Sequence, residues 1–133
     1  MNLIIGGSNM VQILNLTQHP ATKEQLENGV YDLQGDRLQR LKELLTFTSL
    51  PTSEEVKERA NAIAQLAHKE QQNGLVMIGG ALWLMYPLIK ALANVGLTAL
   101  FAYSERESVE EQLPDGTVKK TAVFKHKGFV PAW

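Results

Sequence analysis

Three short stretches of this sequence hold residue types suited to phosphate chemistry. Thr17-Gln18-His19 follows the apolar run "VQILNL", Gly79-Gly80 follows "GLVMI", and Ser104 and Arg106 follow "LTALFAY". A hydroxyl, an amide and an imidazole suit a phosphate or a ribose, and an imidazole can also move a proton. A diglycine ahead of a helix lets backbone approach a ligand. It also offers an anion the first N–H groups of that helix, with their partial positive charge. A guanidinium takes phosphate oxygens in pairs. Each stretch has a plainer use too. Thr17 and His19 can satisfy their own loop, the diglycine can simply make a tight turn, and Arg106 can pair with Glu105 or Glu107. Gly79-Gly80 matches neither the dinucleotide fingerprint nor the P-loop, so ATP hydrolysis is not expected.

Other polar groups carry less. Lys119, Lys125 and Lys127 alternate with apolar residues and read as solvated strand positions; the face taken by His126 depends on whether that alternation is unbroken. His68 falls on the polar flank of a long helix. The three histidines have no ligand spacing and the carboxylates do not cluster with them, so neither a metal nor a cofactor is expected.

The elements that must position these groups follow from periodicity. Val11 to Thr17 reads as a buried strand ended by Pro20, and Thr22 with Gln25 forms a capping box opening a short helix over Lys23 to Asn28. "VYDL" is a second short strand, and leucines at 38, 41, 44 and 45 mark an amphipathic helix. Thr52 with Glu55 opens another helix, with Val56, Ala60, Ile63 and Ala67 on its buried face, running to about Gln72. "GLVMI" has the continuous apolar character of a central parallel strand. "ALWLMYPLIKALANVG" is an almost wholly apolar helix that Pro87 either kinks or starts. "LTALFAYS" is a further buried strand, and Pro114-Asp115-Gly116 turns a hairpin between "RESVEEQL" and "TVKKTAVFKHKGF". This pattern predicts a single α/β Rossmann-like domain: a sheet parallel at its centre, helices on both faces, and a C-terminal antiparallel β-hairpin. In such sheets the strand carboxyl ends line the ligand crevice. All three stretches would then deliver phosphate-compatible groups to one edge.

Length and composition fit that reading. The 133 residues make one domain, taken as residues 10–133 with residues 1–9 as an N-terminal extension. A net charge of -1 argues against binding long nucleic acid, which needs many phosphate contacts. The absence of cysteine excludes thiol catalysis, disulfides and cysteine-ligated zinc. No apolar run reaches a membrane span and no signal peptide is evident, so a cytoplasmic protein is expected.

"LNLTQHPAT", "MIGGA" and the ending "AYSERESVEEQLPDGTVKKTAVFKHKGFV" resemble a family of small, uncharacterised bacterial and prophage proteins, from Met10 onward. More loosely, the polar-histidine strand end and the strand-GG-helix are similar to CARF-like CRISPR-associated proteins, some of which bind or cleave cyclic oligoadenylates. That resemblance implies roles for Thr17 and Gly79-Gly80 in holding such a ring. The lysine or arginine that such proteins often carry beside the glycine turn is absent here.

The expected function is binding of a nucleotide-type phosphate ligand, with a cyclic oligonucleotide as one form. Thr17, Gln18, Gly79, Gly80 and Ser104 would bind it. A catalytic version would cleave a phosphodiester without metal, with His19 as acid or base and Arg106 stabilising charge. Two other readings stand beside it: a module that sequesters or senses a nucleotide without turnover, and a phage or host protein–protein adaptor acting through the hairpin. A homodimer is expected on the surplus apolar surface of the helix after Gly80, since a helix apolar all round needs cover on both sides. The helix Ser53 to Gln72 is the alternative cover.

Overall fold

A computed structural model describes residues 11–71 and 74–132; residues 1–10, including the expected extension, lie outside the described residues. The elements are β1 (Ile13–Asn15), α1 (Lys23–Glu27), β2 (Val30–Asp32), α2 (Gly35–Leu45), α3 (Ser53–Glu70), β3 (Gly74–Ile78), α4 (Leu82–Asn94), β4 (Leu97–Gln112) and β5 (Val118–Pro131). They form a five-stranded mixed sheet in the order β2-β1-β3-β4-β5. The pairs β1–β2, β1–β3 and β3–β4 are parallel, and β4–β5 is antiparallel.

Local chemistry explains where the helices start and stop. Thr22 and Gln25 cap α1 reciprocally, as the box requires. At α3 the Thr52 hydroxyl takes the Glu55 N–H, but the Glu55 carboxylate turns to Arg59 instead of closing the box. Pro87 lies inside α4, which already begins at Leu82, so the proline does not start this helix.

α2, α3 and α4 stack on one sheet face. Leu41, Ile63, Leu84, Leu88 and Leu92 pack there with Leu14, Leu16 and Val76 from the strands. Each such side chain, fully removed from water, contributes about 1.5–3 kcal/mol. Toward α3 the helix α4 buries Leu84, Met85, Leu88, Ala91 and Leu92, whereas Leu82, Trp83 and Tyr86 stay exposed. The neighbouring helix therefore covers one side of α4 only.

The second sheet face differs from the expected helical layer. Ile13, Val30, Met77 and Leu100 form its core, with Ala21 and Phe129 packed against them. The five-residue α1 buries no side chain. Instead the sheet bends into a half-barrel. The bend carries β5 toward α1, where the His126 backbone N–H donates to the Glu24 carboxylate (3.1 Å). The His126 ring meets Phe129 edge-on at 4.8 Å.

β4 is one continuous strand, not a buried strand followed by a separate hairpin arm. Its first five residues pair with β3 while Leu100 onward pairs with β5. The register shifts by one residue between Tyr103 and Ser104, leaving Lys127 as the extra residue of a bulge beside Gly128 (φ 152°), a conformation glycine tolerates. From Ser104 outward the two strands form a ribbon exposed on both sides. No helix among the described residues is long and apolar enough to cross a membrane.

Candidate functional site

The strand order reverses at β1: α1 leads from it to β2 on one side, while β3 lies on the other. That is the switch point at which open α/β sheets leave a crevice beyond their strand ends. The loops flanking it are Leu16–Ala21 after β1 and Gly79–Ala81 after β3, and they touch. The Leu16 N–H donates to the Met77 carbonyl (2.8 Å), and a Cβ placed on Gly79 would stand 3.4 Å from the Thr17 methyl.

A residue outside the three expected stretches organises the first loop. Among the described residues, Asn15 is the one buried polar side chain. Its amide donates to the His19 carbonyl and to Asp32 Oδ1, both at 2.8 Å. Its oxygen accepts the Thr17 N–H and the Thr17 hydroxyl, also at 2.8 Å. Asp32, at the end of β2, additionally takes the Ala21 N–H (3.1 Å). Thr17 is thus turned inward and engaged with its own loop, as its plainer use foresaw. The signal for Asn15 was present in the sequence: a polar residue inside an apolar strand needs partners.

Gln18 ties this loop to the next, donating to Thr46 Oγ1 (3.0 Å) after α2. That connection is fixed in turn by Arg59, whose guanidinium donates to the Thr46 carbonyl and lies 4.3 Å above the Phe47 ring. Phe47 meets Trp83, in the first turn of α4, edge-on at 5.6 Å. The loops after β1 and α2 and the start of α4 are therefore linked by named contacts.

Two hollows open here. A cavity of ≈ 50 Å³ is lined by Asn15, Thr17, Gln18, His19, Asp32 and Lys42, among others. At roughly 30 Å³ per water it holds one or two waters, not a nucleotide. An anion inside it would also face the Asp32 carboxylate. An apolar groove of ≈ 440 Å³ runs between the start of α3 and α4, lined by Leu50, Pro51, Val56, Trp83 and Pro87.

At Gly79-Gly80 the backbone is open. Gly80 has φ 134° and nothing within 4 Å of a Cβ position. α4 begins at Ala81 with no side-chain cap and no acidic residue in its first turn. The other three helices each have an acidic residue there. The positive end of α4 is therefore left uncompensated by its own sequence.

Ser104 and Arg106 lie elsewhere. They sit on β4 three and five residues beyond Phe101, the partner of Ile78, opposite His126 and Phe124 in the ribbon. At about 3.4 Å per residue, Arg106 is roughly 17 Å along the strand from the level of Ile78. The structure thus joins Thr17, Gln18, His19 and Gly79-Gly80 at neighbouring loops and places Ser104 and Arg106 on the hairpin.

Residues 11–130 match the uncharacterized protein MJ1673 family. The chain belongs to that family. The matched segment runs from before β1 almost to the end of β5 and so includes both the loop edge and the ribbon. It agrees with the resemblance to a family of small uncharacterised proteins. No curated protein and no solved structure matches the chain.

Proposed function

We propose that this chain is a Rossmann-like domain that binds a nucleotide-type phosphate ligand at the carboxyl edge of its sheet. The observation that carries this reading is the start of α4, uncapped, without a compensating acid, and reached through a glycine turn with open space beside it. Phosphate oxygens would take the first-turn N–H groups of α4, while the small cavity beside Asp32 stays outside the anion's reach. His19, exposed on the adjoining loop, is positioned to contact the ligand. The likeness to CARF-like proteins suggests a cyclic oligonucleotide as the form to try first.

Binding without turnover is the primary reading, because the Thr17 hydroxyl is engaged by Asn15 and Arg106 stands on the ribbon. Cleavage is the second. In it a ribose 2′-oxygen bonds to phosphorus as His19 takes its proton, and the 5′-oxygen leaves with a proton, giving a 2′,3′-cyclic phosphate. A cytoplasmic homodimer, using the exposed Leu82, Trp83 and Tyr86 of α4, completes the proposal.

Ala81→Asp tests the binding reading. An aspartate at this N-cap position takes the first-turn N–H groups itself and raises stability by about 0.5–2 kcal/mol. Calorimetry with pyrophosphate and with cyclic and linear oligonucleotides should then show binding by the natural chain and loss of it in the variant. Undiminished binding by the stabilised variant overturns the anion role of α4.

A further inference from the structure

The ribbon formed by Ser104–Gln112 and Val118–His126 projects beyond the body with both faces in water. An isolated two-stranded hairpin is marginal in water and gains stability from a third strand or a covering surface. Phe124 is 76% exposed and Val118 56%. The charges are segregated by strand. Ser104–Gln112 carries Glu105, Glu107, Glu110 and Glu111 against Arg106, whereas Val118–Lys127 carries Lys119, Lys120, Lys125 and Lys127 and no acid.

We propose that the ribbon is a contact surface for a second copy of this chain, stacked so that β4 of one copy lies over β5 of the other. Opposed residues of an antiparallel pair share a face, and the unbroken register from Val118 to His126 puts Arg106 with Phe124, Ser108 with Ala122, and Glu110 with Lys120 on one side. A twofold axis along the ribbon sets these rows against themselves reversed. Arg106 then lies over the Phe124 ring of the second copy, Glu110 faces its Lys120, and Ser108 and Ala122 are small enough to let the centre close.

Charge selects this arrangement over its rivals. Stacking β4 on β4 sets two strands of net negative charge within a Debye length of about 8–10 Å. Pairing two β5 edges brings lysines against lysines, which keeps the free edge from forming open-ended sheets. A face about 30 Å long and 10 Å wide covers roughly 300 Å² per copy, below the ~800 Å² of a stable interface. The association is therefore reversible, concentration-dependent and weakened by salt.

Sedimentation of the full chain tests it, using Glu110→Lys and Lys120→Glu. The natural chain should show a monomer–dimer equilibrium, and each variant alone should be shifted at least tenfold toward monomer. Mixed in equal amounts, the two variants should regain the natural dimer fraction. Each still carries a like-charged pair within its own ribbon, so only contact between chains explains that rescue. Circular dichroism and Tm confirm that both variants fold. A natural chain that stays monomeric at every concentration overturns the proposal. So do single variants that dimerise normally, as a contact through α4 alone would allow, and a mixture that shows no rescue.

Discussion

Asn15 shows how a single side chain shapes the candidate site. Its two amide hydrogens and its oxygen are all used, holding the β1 loop against Asp32. Asn15→Leu keeps the volume but leaves the Asp32 carboxylate and the His19 carbonyl short of a donor. It should cost about 1–3 kcal/mol in denaturant unfolding, since an unpaired buried polar group loses its solvation without return. Thr17→Val removes one hydroxyl contact and should cost about 0.5–1.5 kcal/mol. His19→Ala, by contrast, alters an exposed ring and should leave Tm unchanged while abolishing any cleavage of an oligonucleotide. A variant that still cleaves removes His19 from the chemistry. Thr17, Gln18 and His19 were legible as a group because they follow a strand end. Their division of labour was not legible, because it depends on Asp32, a residue 15 or more positions away in sequence.

At the scale of elements, the sequence disclosed strand and helix identities through periodicity and capping, including the box at Thr22 and the strand Gly74–Ile78. It did not disclose how far β4 runs. "LTALFAYS" ends its apolar run where burial ends, not where pairing ends, and the polar continuation to Gln112 is the same strand after the helices stop covering it. The curl of the hairpin onto α1 was equally hidden, because it depends on a bulge at Lys127 and a contact between Glu24 and His126. That curl has a pH signature. Both ring nitrogens of His126 are buried without a partner among the described residues. Burial holds its pKa below the usual imidazole range, and the nearby Glu24 carboxylate only partly opposes this. A histidine whose folded pKa is depressed contributes stability that is present above its unfolded value of about 6.5 and is lost as pH falls through the folded value. Thermal unfolding should therefore show Tm dropping between pH 7 and pH 5, with His126→Phe flattening that drop. An unchanged slope in the variant means that protonation of His126 is not opposed by the fold.

The molecule as a whole divides into a body held by buried helices and a ribbon held by little more than its own ladder. The parallel centre of the sheet and its antiparallel extension could be read from the order of elements. The half-barrel could not, because curvature comes from bulges and side-chain packing, not from the hydrophobic pattern alone. This division predicts two exchange regimes. Amides of β1, β3 and α4 open only with global unfolding, which for a domain of this size lies within about 5–15 kcal/mol. Ribbon amides beyond Ser104 have no apolar cover on either face and open locally at far lower cost. In dilute solution, hydrogen exchange followed by mass spectrometry should label the segment from Val109 to Thr121 within seconds and that from Gly74 to Ile78 over hours. Raising the protein concentration should slow the ribbon while leaving the strands of the body unchanged, because only the ribbon gains cover from a second copy. Added salt should reverse that protection, since the stacking draws on opposite charges. A ribbon that is fully protected at the lowest concentration would mean that its cover comes from within the chain itself, and the division into body and arm would fall with it.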